Sequence, residues 1–153
     1  MKLACGTPAD IDRWMQLVER VRYNFPGLET AEGIDDHRRT VLKFMDRGEA
    51  VCMKDGDSIL GVLLFSSKHS MICCLAVAPE ARRRGAASAM LAEALGRLDR
   101  SRPITVSTFR EDDPLGVAPR ALYKKFGFAE GELTVEFGYP NQIFILDPQS
   151  GAI

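Results

Sequence analysis

Three consecutive arginines stand directly before a glycine, and they form the part of this chain with the clearest chemistry. An apolar run ends at Pro79, the arginines occupy residues 82–84, and a helical pattern begins after Gly85. A strand that leads into a helix start places unpaired backbone N–H groups and the positive end of the helix dipole around a bound anion. Gly85 lets the backbone approach such a group closely, and the small Ala87 and Ser88 keep the next turn open. These features predict a binding site for a diphosphate.

Two better-known phosphate-binding loops do not match this turn. It lacks the Gly-Lys-Ser/Thr ending of a Walker A loop and the three glycines of the dinucleotide-binding turn. Three arginines alone are typical of a solvated surface turn. Their position between a strand and a helix favours the anion site.

A second segment with chemical potential is the octet at residues 121–128, which contains Tyr123. Taken alone, it predicts only the end of a helix, with Leu122 and Phe126 as core contacts and Gly127 as the terminating residue. Tyr123 is then a half-buried aromatic residue.

The cysteines and histidines do not form a recognisable metal site. The cysteines are residues 5, 52, 73 and 74, without a C-x-x-C pair, and His37 and His69 lie far apart in the sequence. Adjacent Cys73 and Cys74 in a strand are expected to point to opposite faces. We therefore interpret the cysteines as reduced core thiols and the histidines as surface or loop residues. Cys74 lacks an evident partner that would activate it as a nucleophile.

The composition bounds the class of protein. A chain of 153 residues with a net charge of −1 fits one domain and does not favour a nucleic-acid surface. The N-terminus has no apolar segment typical of export, and no stretch is long enough to span a membrane. We expect a cytoplasmic protein with no metal, nucleic-acid or membrane partner.

The elements that must position these residues follow a mixed α/β order. Helices are predicted from Thr7 onward, over residues 34–46, after Gly85 and over residues 118–126. Asp55-Gly56 predicts a hairpin turn, and residues 24–33 predict a loop. The predicted strands are residues 2–5, 50–54, 58–66, 71–78, 104–109, 132–137 and 142–146.

The R-x-x-G-x-A turn at residues 82–87 and the L-Y-x-x-x-G-F segment at residues 122–128, in this order, resemble the GNAT superfamily of acyl-CoA-dependent N-acetyltransferases. The resemblance covers most of the chain, from the two N-terminal helices through the Asp55-Gly56 hairpin to the octet. It implies a central mixed, mostly antiparallel sheet of six to seven strands, flanked by about four helices. It also implies a single acetyltransferase domain over residues 1–153.

The resemblance implies how acetyl-CoA is bound. In that family the turn binds the coenzyme A diphosphate through backbone amides, and the preceding strand pairs with the pantetheine arm. The backbones of Leu75, Ala76 and Val77 match the strand that holds the arm. Tyr123 matches the tyrosine that often protonates the leaving thiolate. The residues that match the diphosphate cradle are Arg82, Arg83, Arg84, Gly85, Ala86, Ala87 and Ser88.

Attack of an amine on a thioester builds negative charge on the carbonyl oxygen, which the Val77 N–H is expected to stabilise. A base must take a proton from the amine, and many relatives carry a carboxylate on the central strand. Residues 71–74 are Met-Ile-Cys-Cys and supply none. The remaining candidates near the acceptor are Glu29 and Glu32, between the first two helices, and Glu111, which precedes Asp112 and Asp113. The position of each of these acids is more typical of a solvated loop residue than of a catalytic base.

The sequence is compatible with an acceptor amine on either a small molecule or a peptide. An acidic rim at residues 111–113 would suit a polyamine, an aminoglycoside or a lysine side chain, whereas residues 25–28 would suit an apolar pocket for an amino acid. Dimers are common among such proteins, so a homodimer is also open.

Three functions compete. The resemblance favours transfer of acetyl from acetyl-CoA to a primary amine by direct attack in a ternary complex. The missing strand carboxylate favours a non-catalytic acyl-CoA-binding or sensor domain instead, which Tyr123 argues against. A nucleotide-binding phosphotransferase is a third possibility, but no Lys-Ser/Thr pair supports it.

Overall fold

A computed structural model describes residues 1–148, which form one seven-stranded sheet and four α-helices. The class, the strand number and the helix number predicted from the sequence are confirmed. The strands are β1 (Lys2–Cys5), β2 (Ala50–Asp55), β3 (Ser58–Ser66), β4 (Met71–Val77), β5 (Ile104–Phe109), β6 (Ala129–Glu136) and β7 (Tyr139–Leu146). The helices are α1 (Ile11–Val21), α2 (Ala31–Asp46), α3 (Ala86–Arg97) and α4 (Val117–Lys125).

The sheet has the order β1-β2-β3-β4-β5-β7-β6 and is antiparallel except between β4 and β5. It separates two hydrophobic cores. Helices α1 and α2 bury one face, around Trp14 and Val41, while α3 and α4 bury the other, around Met90 and Tyr123. Strand β3 is buried along nearly its whole length, which explains its continuous apolar run.

The helix starts follow local capping chemistry. The Thr7 backbone N–H donates to the Asp10 carboxylate at 2.9 Å, which completes a capping box before α1. Helix α2 begins three residues earlier than predicted, because the Thr30 hydroxyl accepts a hydrogen bond from the Gly33 N–H at 3.0 Å. The glycine and acidic residues around Thr30 favour a loop when the sequence is considered without this cap.

The parallel pairing of β4 and β5 is short. Only Met71–Thr105 and Ile72–Val106 form ladder pairs, and beyond them the pairing ends. On its other side β4 remains paired with β3 as far as Val77. The edge of β4 that faces β5 is therefore without a strand partner over most of its length.

A β-bulge lies where this pairing ends. Leu64 is opposite Cys74 and Phe65 is opposite Ile72, so Cys73 is the extra residue on β4. An extra residue reverses the alternation of side chains after it. Accordingly, Ile72 packs in the core under α3, whereas Cys74 and Ala76 pack in the core under α1 and α2.

Candidate active site

The gap beside β4 brings together the residues that were predicted to hold the pantetheine arm. Leu75, Ala76 and Val77 follow the bulge and have no ladder partner in β5. A strand edge of this kind presents unpaired N–H and C=O groups that an extended ligand can pair with. Alternate residues of this segment direct their backbone groups into the gap, where a linear amide-containing chain can pair with them.

The arginine turn lies next along the chain, at the start of α3. Residues 82–85 are all exposed, and none of these arginines forms an ion pair with another residue in the 1–148 range. Gly85 has a φ of +81°, and a Cβ added there would meet nothing within 4 Å. Arg83 is also in the left-handed region, with a φ of +64°.

These features leave room for an anion at the first turn of α3. The Gly85 carbonyl accepts a hydrogen bond from the Ala89 N–H at 3.0 Å, so the N–H groups of Ala86, Ala87 and Ser88 precede the first intrahelical donor. Ala86 is buried and fixes the helix against the sheet. Three exposed guanidinium groups add positive charge beside these donors, as a diphosphate requires.

Tyr123 lies on α4 with 4% of its surface exposed. Its ring makes edge contacts with Phe128 and Phe144, at centroid distances of 5.6 and 6.3 Å. Burial raises the pKa of the Tyr123 hydroxyl above its ordinary value, and the neighbouring Cys74 thiol adds to the increase. The hydroxyl is therefore protonated at neutral pH, as a proton donor must be.

Arg120 anchors the helix that carries Tyr123. This arginine is 6% exposed and donates hydrogen bonds to the Phe109 carbonyl at 2.9 Å, to Gln142 Oε1 at 2.7 Å and to Glu130 Oε1 at 2.7 Å. Its guanidinium also lies 4.8 Å from the centre of the Phe144 ring. Arg120 thus ties α4 to β5, β6 and β7.

A cavity of about 370 Å³ lies on the face of the sheet that α1 and α2 cover, against β4. The chain between these helices contributes Phe25, Pro26, Gly27 and Leu28, which was one of the two acceptor regions predicted. The polar residues in the lining are Asp36, Thr40 and His37. Much of the remaining lining is apolar and includes Val18, Val21, Phe44, Val62, Leu64 and Phe137.

Cys73 and Cys74 both line this cavity, contrary to the expectation that they face opposite sides. The bulge at Cys73 breaks the regular alternation on which that expectation rested. Burial raises the pKa of Cys74 to about 12, and partial removal from water raises that of Cys73 to about 11, although Cys73 remains exposed overall. Both side chains are therefore neutral thiols, which is consistent with the prediction that Cys74 is not a nucleophile.

His37 is the residue that sequence analysis missed. It lies in the middle of α2 and in the cavity wall rather than on a plain surface or loop. Its Nε2 is buried and has no hydrogen-bond partner among residues 1–148, and burial lowers the pKa of the imidazole. The 3.6-residue period would have found it, because Gly33, Thr40 and Phe44 share its helix face and also line the cavity.

The predicted acceptor-side carboxylates do not line this cavity. Glu29 accepts hydrogen bonds from the Gly27 N–H at 3.1 and 3.0 Å, so it stabilises the loop itself. Glu32 is exposed in the first turn of α2, and Glu111 and Asp112 are exposed after β5. Asp113 caps the short helix Pro114–Gly116 and accepts the Tyr139 hydroxyl at 2.5 Å.

Residues 46–130 match the model of a family described as the acetyltransferase (GNAT) domain. The chain belongs to the GNAT acetyltransferase family. Members of this family are acyltransferases. The matched residues include both the arginine turn and Tyr123. No curated protein shows significant similarity to the chain.

Solved structures share the fold over nearly the whole chain. A GNAT acetyltransferase from Bacillus cereus superposes with a TM-score of 0.74 at 21% identity, over 97% of this chain and 98% of its own. A Salmonella typhimurium structure with acetyl-CoA as its cofactor gives 0.75 at 12% identity, over 99% and 96%. The ribosomal-protein-S18-alanine N-acetyltransferase of Escherichia coli gives 0.72 at 16% identity, over 99% and 96%.

Two structural features are absent from residues 1–148. No helix in that range is long and apolar enough to cross a membrane. No group of three or more histidine, cysteine or acidic side chains in that range is arranged to hold a metal ion.

Proposed function

We propose that this protein transfers an acetyl group from acetyl-CoA to a primary amine by direct attack in a ternary complex. The observation that carries the proposal is the open edge of β4, which begins at the bulge and runs toward the cationic turn before α3. A linear arm and a diphosphate are the two parts of coenzyme A that such an edge and such a turn fit. The Salmonella typhimurium neighbour with acetyl-CoA supports this choice of acyl donor.

The cofactor-binding roles follow from this placement. The backbones of Leu75, Ala76 and Val77 bind the arm, and the seven residues from Arg82 to Ser88 surround the diphosphate. Because the contacts are made largely by backbone groups, the alanines at positions 86 and 87 suit the turn as well as glycines would. The arginine side chains add affinity that salt will screen.

The proposed chemistry is a proton-balanced acyl transfer. The neutral amine nitrogen forms a bond to the acetyl carbonyl carbon, while the Val77 N–H stabilises the negative charge on the carbonyl oxygen. The carbon–sulfur bond then breaks, and the thiolate takes the proton of the Tyr123 hydroxyl. Tyr123 regains a proton from the nitrogen that has become cationic, so the enzyme ends unchanged.

Direct transfer is favoured over a covalent acyl-enzyme. A cysteine nucleophile must ionise, and the pKa of about 12 for Cys74 opposes this at neutral pH. The pKa of Cys73 is about 11, so this thiol is also mostly un-ionised at neutral pH. No histidine or cation contacts either thiol to reverse this, among the interactions of residues 1–148.

The competing function is a non-catalytic acyl-CoA-binding domain. The absence of a carboxylate at residues 71–74 favours it, whereas the protonated Tyr123 hydroxyl on α4 favours catalysis. Release of free thiol from acetyl-CoA in the presence of an amine panel separates the two. Thiol release that depends on an amine supports the transferase. Binding of acetyl-CoA with no thiol release in the presence of any amine supports the binding domain.

We extend the proposal to a cytoplasmic location. All four cysteines are free thiols in the structure, two of them at the cavity, as is typical of proteins in a reducing compartment. Formation of a disulfide in the protein as purified from cells would count against this location.

A further inference from the structure

The cavity between α1, α2 and β4 is small and poor in charge. Its volume of about 370 Å³ lies at the lower end of small-molecule sites, which span roughly 300–1,000 Å³. Asp36 is the one carboxylate in the described part of its lining, and that carboxylate already pairs with Arg39 at the exposed surface of α2. A ligand with several ammonium groups would lose water there without gaining partners.

The turn between β6 and β7 contributes to the wall of the cavity. Phe137 lines the cavity, and a Cβ placed on Gly27 would come within 3.2 Å of the Phe137 ring. The ring therefore lies against the chain that joins α1 and α2. An extended peptide would need a groove between these two segments, whereas a small molecule needs only the cavity.

One polar group in the wall lacks a partner. His37 Nε2 is buried and makes no hydrogen bond with residues 1–148, and a buried polar atom without a partner is destabilising. The same cavity reaches Cys73, Cys74 and Ala76 on the strand that borders the open edge. An amine in the cavity would thus lie between an unpartnered imidazole and the strand at which acetyl is delivered.

We propose that the acceptor is a small monoamine with a compact apolar body of about the size of one ring, held in this cavity with His37 as the acceptor of its proton. This inference rests on the proposed acetyl transfer and names its substrate class. The ammonium form of the amine gives one proton to His37, which passes it to solvent. The remaining amine then attacks the thioester as described above.

The electrostatic surroundings permit His37 to act as this base. Burial holds the imidazole neutral at pH 7, and the thiols of Cys73 and Cys74 that face the cavity from β4 are also neutral. Asp36 is the one charged side chain in the described lining and is paired with Arg39. Residues 25–28 and the residue Phe137 contribute no titratable group to the cavity.

The first test compares acceptors by thiol release from acetyl-CoA. Phenylethylamine is expected to exceed ethylamine in kcat/KM by about 10- to 100-fold, since burial of one apolar ring contributes about 1.5–3 kcal/mol. Spermidine and a tetrapeptide with a free N-terminus are expected to be poorer than phenylethylamine. Preference for either of them would overturn the acceptor class while leaving acetyl transfer intact, and failure of every amine would overturn the transfer as well.

A cavity variant adds a matched control. Thr40 is exposed at the wall, so Thr40→Phe should fold normally and fill part of the cavity. It is expected to reduce kcat/KM for phenylethylamine more than for ethylamine, with acetyl-CoA binding unchanged. Lys43→Phe adds the same ring to an exposed position of α2 outside the cavity. It should change kcat/KM for neither phenylethylamine nor ethylamine. Equal effects of the two variants would contradict the assignment of the cavity.

The role of His37 is tested with His37→Gln, which keeps a hydrogen-bonding side chain but cannot titrate. We expect kcat at neutral pH to fall by about 10²-fold and to recover as the pH approaches the pKa of the amine, where free amine is abundant. A merely structural role would lower activity equally at all pH values. Unchanged kcat at neutral pH would also contradict the role.

Discussion

Tyr123 is the side chain on which the proposed chemistry depends most. It is held between two aromatic rings, and burial keeps its hydroxyl protonated. Tyr123→Phe removes only the hydroxyl, so the protein should fold and bind acetyl-CoA with its normal affinity. Turnover should fall by about 10²-fold or more, as is typical for loss of a general acid.

Steady-state kinetics and calorimetry on the same preparation check this prediction. Phe128→Leu is a suitable control, because it alters the packing around the ring and leaves the hydroxyl in place. A Tyr123→Phe protein that turns over at the normal rate would remove the general-acid role. Loss of acetyl-CoA binding would instead indicate that the hydroxyl serves the cofactor.

His37 also makes a prediction about stability. Its pKa is lowered in the folded protein, so the unfolded chain, with an ordinary pKa of about 6.5, binds the proton more readily. The free energy of unfolding should therefore fall as the pH drops below about 6.5 and through the folded pKa. Urea unfolding between pH 5.5 and 7.5 should show this loss in the natural protein and not in His37→Gln, and parallel curves for the two would contradict it.

At the scale of elements, α4 is held in place by a buried polar network. Arg120→Met would leave the Gln142 Oε1 and the Phe109 carbonyl without their donor, and we expect a loss of about 1–3 kcal/mol in the free energy of unfolding. Because α4 carries Tyr123, kcat should fall more than the KM for acetyl-CoA rises.

Lys124→Met is the matched control for this network. Lys124 also contacts Glu130 Oε1 at 2.7 Å, but from an exposed position, so its loss should lower the free energy of unfolding much less than the loss of Arg120 does. Chemical denaturation and initial-rate kinetics measure both variants. Equal losses from Arg120→Met and Lys124→Met would contradict the anchoring role of Arg120.

The elements show what the sequence could predict and what it could not. Local signals such as the capping box at Thr7 and the turn at Asp55-Gly56 gave the positions of α1 and the β2–β3 hairpin. The arginine turn and the octet gave the family. The bulge at Cys73 and the end of the β4–β5 pairing depend on strand register, which no local pattern specifies.

The sequence likewise predicted only part of the cavity wall. The apolar loop at residues 25–28 indicated a pocket, but the rest of the cavity wall comes from α1, α2, β3, β4 and the β6–β7 turn. Considered alone, His37 predicts a surface or loop residue, whereas the α2 face that it shares with Gly33, Thr40 and Phe44 indicates the cavity wall. Phe137, which is 83% exposed, joins the cavity only through the fold of the hairpin.

At the scale of the whole molecule, the gap between β4 and β5 leaves a strand edge unpaired in the interior of the sheet, in addition to the outer edges of β1 and β6. Amide hydrogen exchange in residues 73–78 should be faster than in β3, which is paired on both sides. Acetyl-CoA should slow exchange in this segment, because the arm supplies the missing partners. Mass spectrometry of exchanged peptides measures this, and protection confined to other parts of the chain would contradict the proposed binding mode.

The central claim is that the turn before α3 and the open edge of β4 bind acetyl-CoA, and calorimetric titration tests it most directly. Gly85→Val places a branched side chain at a φ of +81° in the proposed diphosphate site, while Gly48→Val introduces a comparable strain at a φ of +72° at the end of α2. We predict micromolar binding of acetyl-CoA, weaker binding of ATP, and a loss of acetyl-CoA affinity in Gly85→Val alone. No binding by the folded natural protein, or equal affinity in both variants, would contradict the account.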